Sequence, residues 1–178
     1  MSQVHSFGAV IGREPRVLIL GSMPGIASLE QNQYYAHPRN AFWRIMGDLF
    51  GIDPGLPYAQ RLRALSECEI ALWDVLESCF RPGSLDSSID NDTVRANDFA
   101  TLFAGHPTIR YVFFNGGKAA DVFRRRVVPG LDDGARAVVL HTLPSTSPAH
   151  AARSYEEKLT AWATVKEALE SGARKTRS

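Results

Sequence analysis

Val17-Leu18-Ile19-Leu20-Gly21-Ser22-Met23-Pro24-Gly25 is an apolar run that stops at a glycine and turns polar at once. Four consecutive apolar residues bounded by turn formers read as a strand buried on both faces, the pattern of a parallel sheet. The loop that follows is held by Gly21, Pro24, Gly25 and Pro38. It carries Tyr34, Tyr35, His37, Arg39 and Asn40 before a helix takes over. Such a loop is longer than a strand-to-helix connection needs, which points to function or mobility. In an open α/β sheet, ligands bind beyond the carboxyl ends of the strands. A site is therefore expected to begin here.

Working outward, strands are predicted at residues 16–20, 69–75, 109–114 and 136–142, each built on an apolar run. Helices are predicted between them. Residues 40–50 place Phe42, Ile45, Met46 and Leu49 at helical spacing, and Gly51 with Pro54 ends that helix. Further helices are predicted at 58–65, at 98–104 with Asn97 as cap, and at 118–128. The last begins at a capping box of Ser154 and Glu157, presents Leu159, Trp162, Val165 and Leu169 on one face, and stops at Gly172. Residues 79–93 read as a long loop. The expected fold is α/β: a three-layer α/β/α sandwich around a central four-stranded parallel sheet, with right-handed crossovers. It is expected to be a single domain over residues 1–178, with 1–14 and 172–178 flexible.

Composition narrows the class of protein. A chain of 178 residues, 44% hydrophobic and 22% charged, can bury a continuous core. No apolar run approaches the roughly 20 residues that span a bilayer, and the amino terminus lacks a signal-peptide pattern. A cytoplasmic monomer with no membrane partner is expected. Cys68 and Cys79 form no disulfide framework, and His5, His37, His106, His141 and His150 show no ligand spacing. No metal and no cofactor are expected. The net charge of +1 does not announce nucleic-acid binding. The runs Arg124-Arg125-Arg126 and Arg174-Lys175 read as a solvated helix face and a tail.

The polar stretches of unusual composition all follow strands: 21–40, 76–93, 115–117 and 143–150. Parallel strands bring them to one rim. Asn115 ends a strand before two glycines. Its amide could read an edge that presents a carbonyl beside a ring N–H, as uracil and hypoxanthine do and adenine does not, or it could serve a left-handed turn. Tyr34 and Tyr35 could stack on a base or pack in the core. Asn40 could cap a helix or position water. His37 reads as structural. Ser145-Thr146-Ser147-Pro148-Ala149-His150 has small hydroxyl side chains and backbone amides suited to phosphate, or it is a plain turn. A hydrolase built on Ser145 or Ser147, His150 and Asp74 lacks the Gly-x-Ser-x-Gly elbow. The stretch 21–25 has neither the Lys-Ser/Thr end of a P-loop nor a dinucleotide fingerprint.

Together these motifs resemble the uracil-DNA glycosylase superfamily. Gly21-Ser22-Met23-Pro24-Gly25 with Tyr35-Ala36-His37-Pro38-Arg39-Asn40 and Phe42-Trp43 is similar to the first motif of mismatch-specific uracil and thymine glycosylases. Phe114-Asn115-Gly116 and the loop 143–150 match the base-reading and second motifs. The hypoxanthine-DNA (deoxyinosine) glycosylase branch is the nearer resemblance. The Tyr34-Tyr35 pair, Trp73-Asp74-Val75, Ser84-Leu85-Asp86 and Leu143-Pro144-Ser145-Thr146-Ser147-Pro148 all follow its pattern, over roughly residues 16–165.

The resemblance implies a monofunctional DNA repair glycosylase that removes a deaminated base, hypoxanthine above all, from double-stranded DNA. It implies Asn40 as catalytic residue and Ser22, Met23, Tyr35 and Asn115 around the base. Ser145, Thr146, Ser147, Pro148, Ala149 and His150 would lie on the DNA. Met23 departs from the asparagine that positions water in mismatch-specific enzymes, since a thioether cannot hold water in that way. The alternatives are a mismatch-directed uracil enzyme, a catalytically weak nucleic-acid-binding member, or an α/β hydrolase of small molecules.

Overall fold

The computed structural model describes residues 3–175, and the side chains of residues 3–171. In chain order the elements are β1 (Gln3–His5), β2 (Val17–Gly21), α1 (Ile26–Gln31), α2 (Phe42–Phe50), α3 (Tyr58–Glu67), β3 (Ile70–Asp74), β4 (Leu76–Phe80) and β5 (Arg95–Ala96). They continue with α4 (Phe99–Gly105), β6 (Tyr111–Asn115), α5 (Gly117–Val122), α6 (Asp133–Arg136), β7 (Val139–Leu143) and α7 (Tyr155–Lys175). The expected central sheet is present, four parallel strands in the order β3-β2-β6-β7.

Its two faces are sealed by alternate residues of the same strands, because successive side chains point to opposite sides. Leu18, Leu20, Ala71, Val112 and Phe114 pack with Phe99 and Phe103 of α4 and with Phe123. Val17, Ile19, Leu72 and Phe113 pack with Phe42, Ile45 and Met46 of α2 and with Trp162 and Val165 of α7. Each fully buried side chain of this size contributes about 1.5–3 kcal/mol. Helices on both faces make the three layers. Half of the expected Ser154–Glu157 capping box is present: the Glu157 amide donates to Ser154 Oγ at 3.2 Å, while the Glu157 carboxylate accepts from the Ser154 hydroxyl rather than from its backbone amide.

Register sets up the site. Gly21 lies opposite Asp74, Leu20 opposite Phe114, and Asn115 opposite Leu143. The carboxyl ends of the four strands are therefore level, and Asp74, Gly21, Asn115 and Leu143 stand in one row.

Several elements differ from the sequence reading. A second, antiparallel sheet joins β1, β4 and β5 in the order β1-β4-β5. Residues 76–80 are therefore strand where the start of a long loop is expected, because Leu-Glu-Ser-Cys-Phe mixes polar with apolar and pairs only with distant chain. From residue 3 on, the amino-terminal segment, expected to be flexible though with Phe7, Val10 and Ile11 able to dock on the core, is tied down. Those three side chains do pack against the core. Val10 exchanges backbone hydrogen bonds with Leu72, and Trp73 Nε1 donates to the Phe7 carbonyl. Residues 1–2 and 176–178 lie outside the described residues.

At the other end, Gly172 does not stop α7, which continues to Lys175. One interior glycine costs only about 1 kcal/mol, and Ala, Arg and Lys after it are good helix formers. Within the first loop, α1 was not expected, six residues being too few to show a period. Asp98 rather than Asn97 caps α4, accepting from the Thr101 amide at 3.1 Å, while Asn97 Nδ2 donates to the Asp74 carbonyl. The strand expected at 136–142 begins only at Val139, after α6. Among the described residues no helix is long and apolar enough to cross a membrane.

Candidate active site

A cavity of about 540 Å³ opens beyond the row of strand ends, within the roughly 300–1,000 Å³ usual for small-molecule sites. All of Ser22, Met23, Tyr35, Asn40, Asn115, Ser145, Thr146, Ser147, Pro148, Ala149 and His150 line it. The four polar stretches thus meet on one rim, as parallel strands require.

Asn115 and the loop after β7 are locked together. Asn115 Oδ1 accepts from the Thr146 amide and Asn115 Nδ2 donates to Thr146 Oγ1, both at 2.9 Å. The Thr146 carbonyl accepts from the Ala41 amide at 3.0 Å, so one buried threonine ties the end of β6 to the entry of α2. Gly116 follows with φ of 98°, and a Cβ there would approach Ser145 Cβ to 3.2 Å. Only glycine supplies that backbone without strain. From behind, α7 holds the same loop: Trp162 Nε1 donates to the Pro144 carbonyl and the buried Lys158 ammonium to that of His150, both at 2.9 Å.

Four of that loop's backbone amides are already engaged. The amides of Thr146, Ser147, Ala149 and His150 donate to Asn115 Oδ1, Ser145 Oγ, Ser147 Oγ and the Ser147 carbonyl. What faces outward is the serine hydroxyls and the exposed Ala149 and His150. Ser145 and Ser147 oxygens serve turn amides, and Asp74 Oδ2 has no partner. No hydrolase triad is assembled.

The tyrosine pair divides its work. Tyr34 is core: its hydroxyl donates to the Gly8 carbonyl and its own carbonyl accepts from Trp43 Nε1. Tyr35, at φ of 56°, turns toward the cavity and stacks on Phe42 with ring centroids 4.1 Å apart. One face of its ring is thereby occupied. Asn40 Oδ1 accepts from the Phe42 amide at 3.0 Å, which makes it a helix-entry residue that also lines the cavity. His37 Nδ1 accepts from the Arg39 amide, the structural role expected of it. Ser22 Oγ donates to Asp86 Oδ1 at 2.6 Å. Met23 packs in the core beside β2 and also lines the cavity. The buried Arg81 guanidinium donates to the carbonyls of Met23, Pro24 and Gly83 and so holds the first turn.

Asp74 entered the sequence reading only as the acid of the disfavoured hydrolase and as part of the Trp73-Asp74-Val75 motif, with no role in a glycosylase. It is 3% exposed, and its carboxyl is pushed up to about 8, first by burial and then by Asp86, with Arg81 opposing. Burial and the Asp74 carboxyl push the Tyr35 hydroxyl up as well. Asp74 ends an apolar strand as Asn115 does, and that position was the available signal. Arg81 gave none, being a lone arginine in an apparent loop. Ile26 and Leu85 stand at the mouth as exposed apolar side chains.

The family model of the uracil DNA glycosylase superfamily matches residues 9–169. A hypoxanthine DNA glycosylase of Methanosarcina barkeri is 40% identical over 118 residues, covering 66% of this chain and 73% of that protein. One of Methanosarcina acetivorans is 39% identical over the same shares. The solution NMR structure of a candidate uracil DNA glycosylase from Methanosarcina acetivorans superposes with a TM-score of 0.78 at 33% identity. It covers 95% of this chain and 99% of its own.

Proposed function

The chain belongs to the uracil DNA glycosylase superfamily, and we propose that it is a monofunctional DNA repair glycosylase excising hypoxanthine flipped out of double-stranded DNA. The observation that carries this reading is the level row of strand ends, of which Asp74, Gly21 and Asn115 line a cavity of about 540 Å³. The relatives from both Methanosarcina species, described as hypoxanthine DNA glycosylases, support the choice of base. Extruding the nucleotide costs a few kcal/mol, least at a mismatch.

The base enters against the free face of Tyr35. Asn115 reads its carbonyl and N–H edge with the lone pair and the N–H that Thr146 leaves over. Backbone at Ser22 and Met23 forms the wall. Cleavage places negative charge on the departing base, and donors fixed by Thr146 and Arg81 need no reorganisation to meet it. Asn40 orients the attacking water through its amide. The serine hydroxyls of 145–150, with His150, contact the strand. Ile26 and Leu85 face the gap a flipped base leaves in the stack. The whole chain works as one catalytic domain, a cytoplasmic monomer without metal or organic cofactor.

Duplexes carrying inosine, uracil, xanthine or a thymine mismatch, incubated with the protein and then treated with alkali, test this. Strand scission at inosine is expected to be the strongest. Scission at uracil alone would make it the uracil enzyme, and binding without scission a non-catalytic member.

A further inference from the structure

Two polar atoms in the site are buried without a hydrogen-bond partner: Asp74 Oδ2 and the Tyr35 hydroxyl. The Asn115 amide lies close enough to ease the proton off Tyr35, but short of hydrogen-bond geometry. Both groups flank Gly21. A Cβ at that position would lie 2.6 Å from Asp74 Oδ1 and 3.3 Å from Tyr35 Oη, so only a glycine lets both groups close in on the strand end side by side. Leaving one buried polar group unpaired costs about 1–3 kcal/mol. Two such groups beside one glycine, in one cavity, make a niche that is complete only with a ligand in place.

The charges around Asp74 decide what the niche offers. Asp86 disfavours its ionisation, Arg81 favours it less strongly, and burial outweighs both. Tyr34 and Tyr35 from the first loop and Tyr58 of α3 also face it. The carboxyl therefore holds its proton at neutral pH, and so does the Tyr35 phenol. The niche presents two O–H donors.

We propose that Asp74 is a catalytic residue: with the Tyr35 hydroxyl beside it, it binds the adjacent acceptors O6 and N7 of the flipped hypoxanthine and gives its proton to N7 as the base leaves. This rests on the glycosylase reading above. Uracil has a C–H beside its O4, and adenine has an amino donor beside N7, so neither fits two donors. In the step, the C1′–N9 bond breaks and its electron pair passes into the ring. The Asp74 proton moves to N7, and the base departs neutral. Water bonds to C1′ and releases a proton, while the Asp74 carboxylate regains one from solvent. The sum is simple hydrolysis.

The test is single-turnover excision from duplexes holding deoxyinosine or its 7-deaza analogue, in which C–H replaces N7. The wild-type chain and Asp74→Asn are compared from neutral to alkaline pH. Asp74→Asn is expected to slow deoxyinosine excision about 10²–10⁴-fold and to abolish the wild-type fall in rate at alkaline pH. The 7-deaza substitution slows the wild type and slows Asp74→Asn no further. Wild-type cleavage of the 7-deaza duplex at full rate overturns the proposal without recourse to any variant. Penalties that multiply, or a full-rate Asp74→Asn, overturn it too. Wild-type protein that leaves deoxyinosine intact overturns the glycosylase reading itself, and the proposal with it.

Discussion

Asn115 and Thr146 pair edge to edge, each giving and taking one hydrogen bond at 2.9 Å across the end of the sheet. The Thr146 amide can only donate, so it forces the Asn115 oxygen toward itself and settles which way the side-chain amide points. One N–H and one lone pair remain for a ligand, in a known orientation. Asn115→Asp keeps the bond to the Thr146 amide but removes both N–H donors. We expect intact folding and a loss of selectivity among inosine, uracil and adenine opposite the same base, measured as the ratio of kcat/KM values. Unchanged ratios would show that the base is read elsewhere.

Thr146→Val keeps the shape and removes the hydroxyl that Asn115 Nδ2 uses. A buried donor left unpaired costs about 1–3 kcal/mol, and in a domain of this size each kcal/mol lowers Tm by about 2–4 °C. Because Thr146 also holds Ala41 through its carbonyl, excision should fall more than stability predicts. Calorimetry beside single-turnover rates separates the two effects.

Asn40 has two duties, and its variants divide them. Asn40→Ala removes the acceptor of the Phe42 amide, a cap-like loss of about 0.5–2 kcal/mol. It should also abolish most hypoxanthine excision while leaving affinity for a deoxyinosine duplex in place. Asn40→Asp restores the acceptor and should restore Tm. Near-normal turnover by Asn40→Ala would remove Asn40 from the mechanism.

Gly21 is where only a hydrogen fits. Its Cβ in Gly21→Ala would lie 2.6 Å from Asp74 Oδ1, and overpacking of this kind costs about 1–3 kcal/mol. The strand residues around it are fully buried, so the carboxyl and Tyr35 must give way. We expect a folded protein of lowered Tm whose excision activity is lost. An active Gly21→Ala would mean that the placement of Asp74 and Tyr35 is not used in catalysis.

The Asp74 carboxyl also leaves a mark on stability. Folding raises it from an ordinary 3.8 to about 8. Between those values the folded chain holds a proton that the unfolded chain has released, so this group erodes stability as pH rises through that window and adds nothing further above it. Asp74→Asn has no such proton. Its Tm relative to wild type should climb from about pH 4 to about pH 8 and then level off. A constant difference would mean that the carboxyl is ionised in the fold.

What could be read along the chain was whatever neighbours in sequence decide. The runs of β2, β3 and β6 declared buried strands because both faces of a parallel sheet are covered, so no alternation interrupts them, whereas β7 at the sheet edge is half exposed. Ser154 and Glu157 announced a helix start, and Gly51 a helix end, because caps are local chemistry. β1, β4 and β5 were not legible, since their short mixed segments are strands only by pairing with one another. Arg81 was equally silent: its worth lies in the Met23 and Pro24 carbonyls that a distant loop brings to it.

The site divides along the same line. Sequence by itself determined that polar loops would gather at the carboxyl ends of apolar strands, because parallel strands share one direction, and it picked out Tyr35, Asn40, Asn115 and the loop 145–150. Only the tertiary structure decided what each of them has left to give. It committed half of the Asn115 amide to Thr146, one face of Tyr35 to Phe42, and the amides of Ser147, Ala149 and His150 to their own loop. It also placed Asp74 against Gly21 with its Oδ2 unpaired. Hydrogen-bond capacity and burial are properties of what surrounds a side chain, and those surroundings come from parts of the chain far apart in sequence.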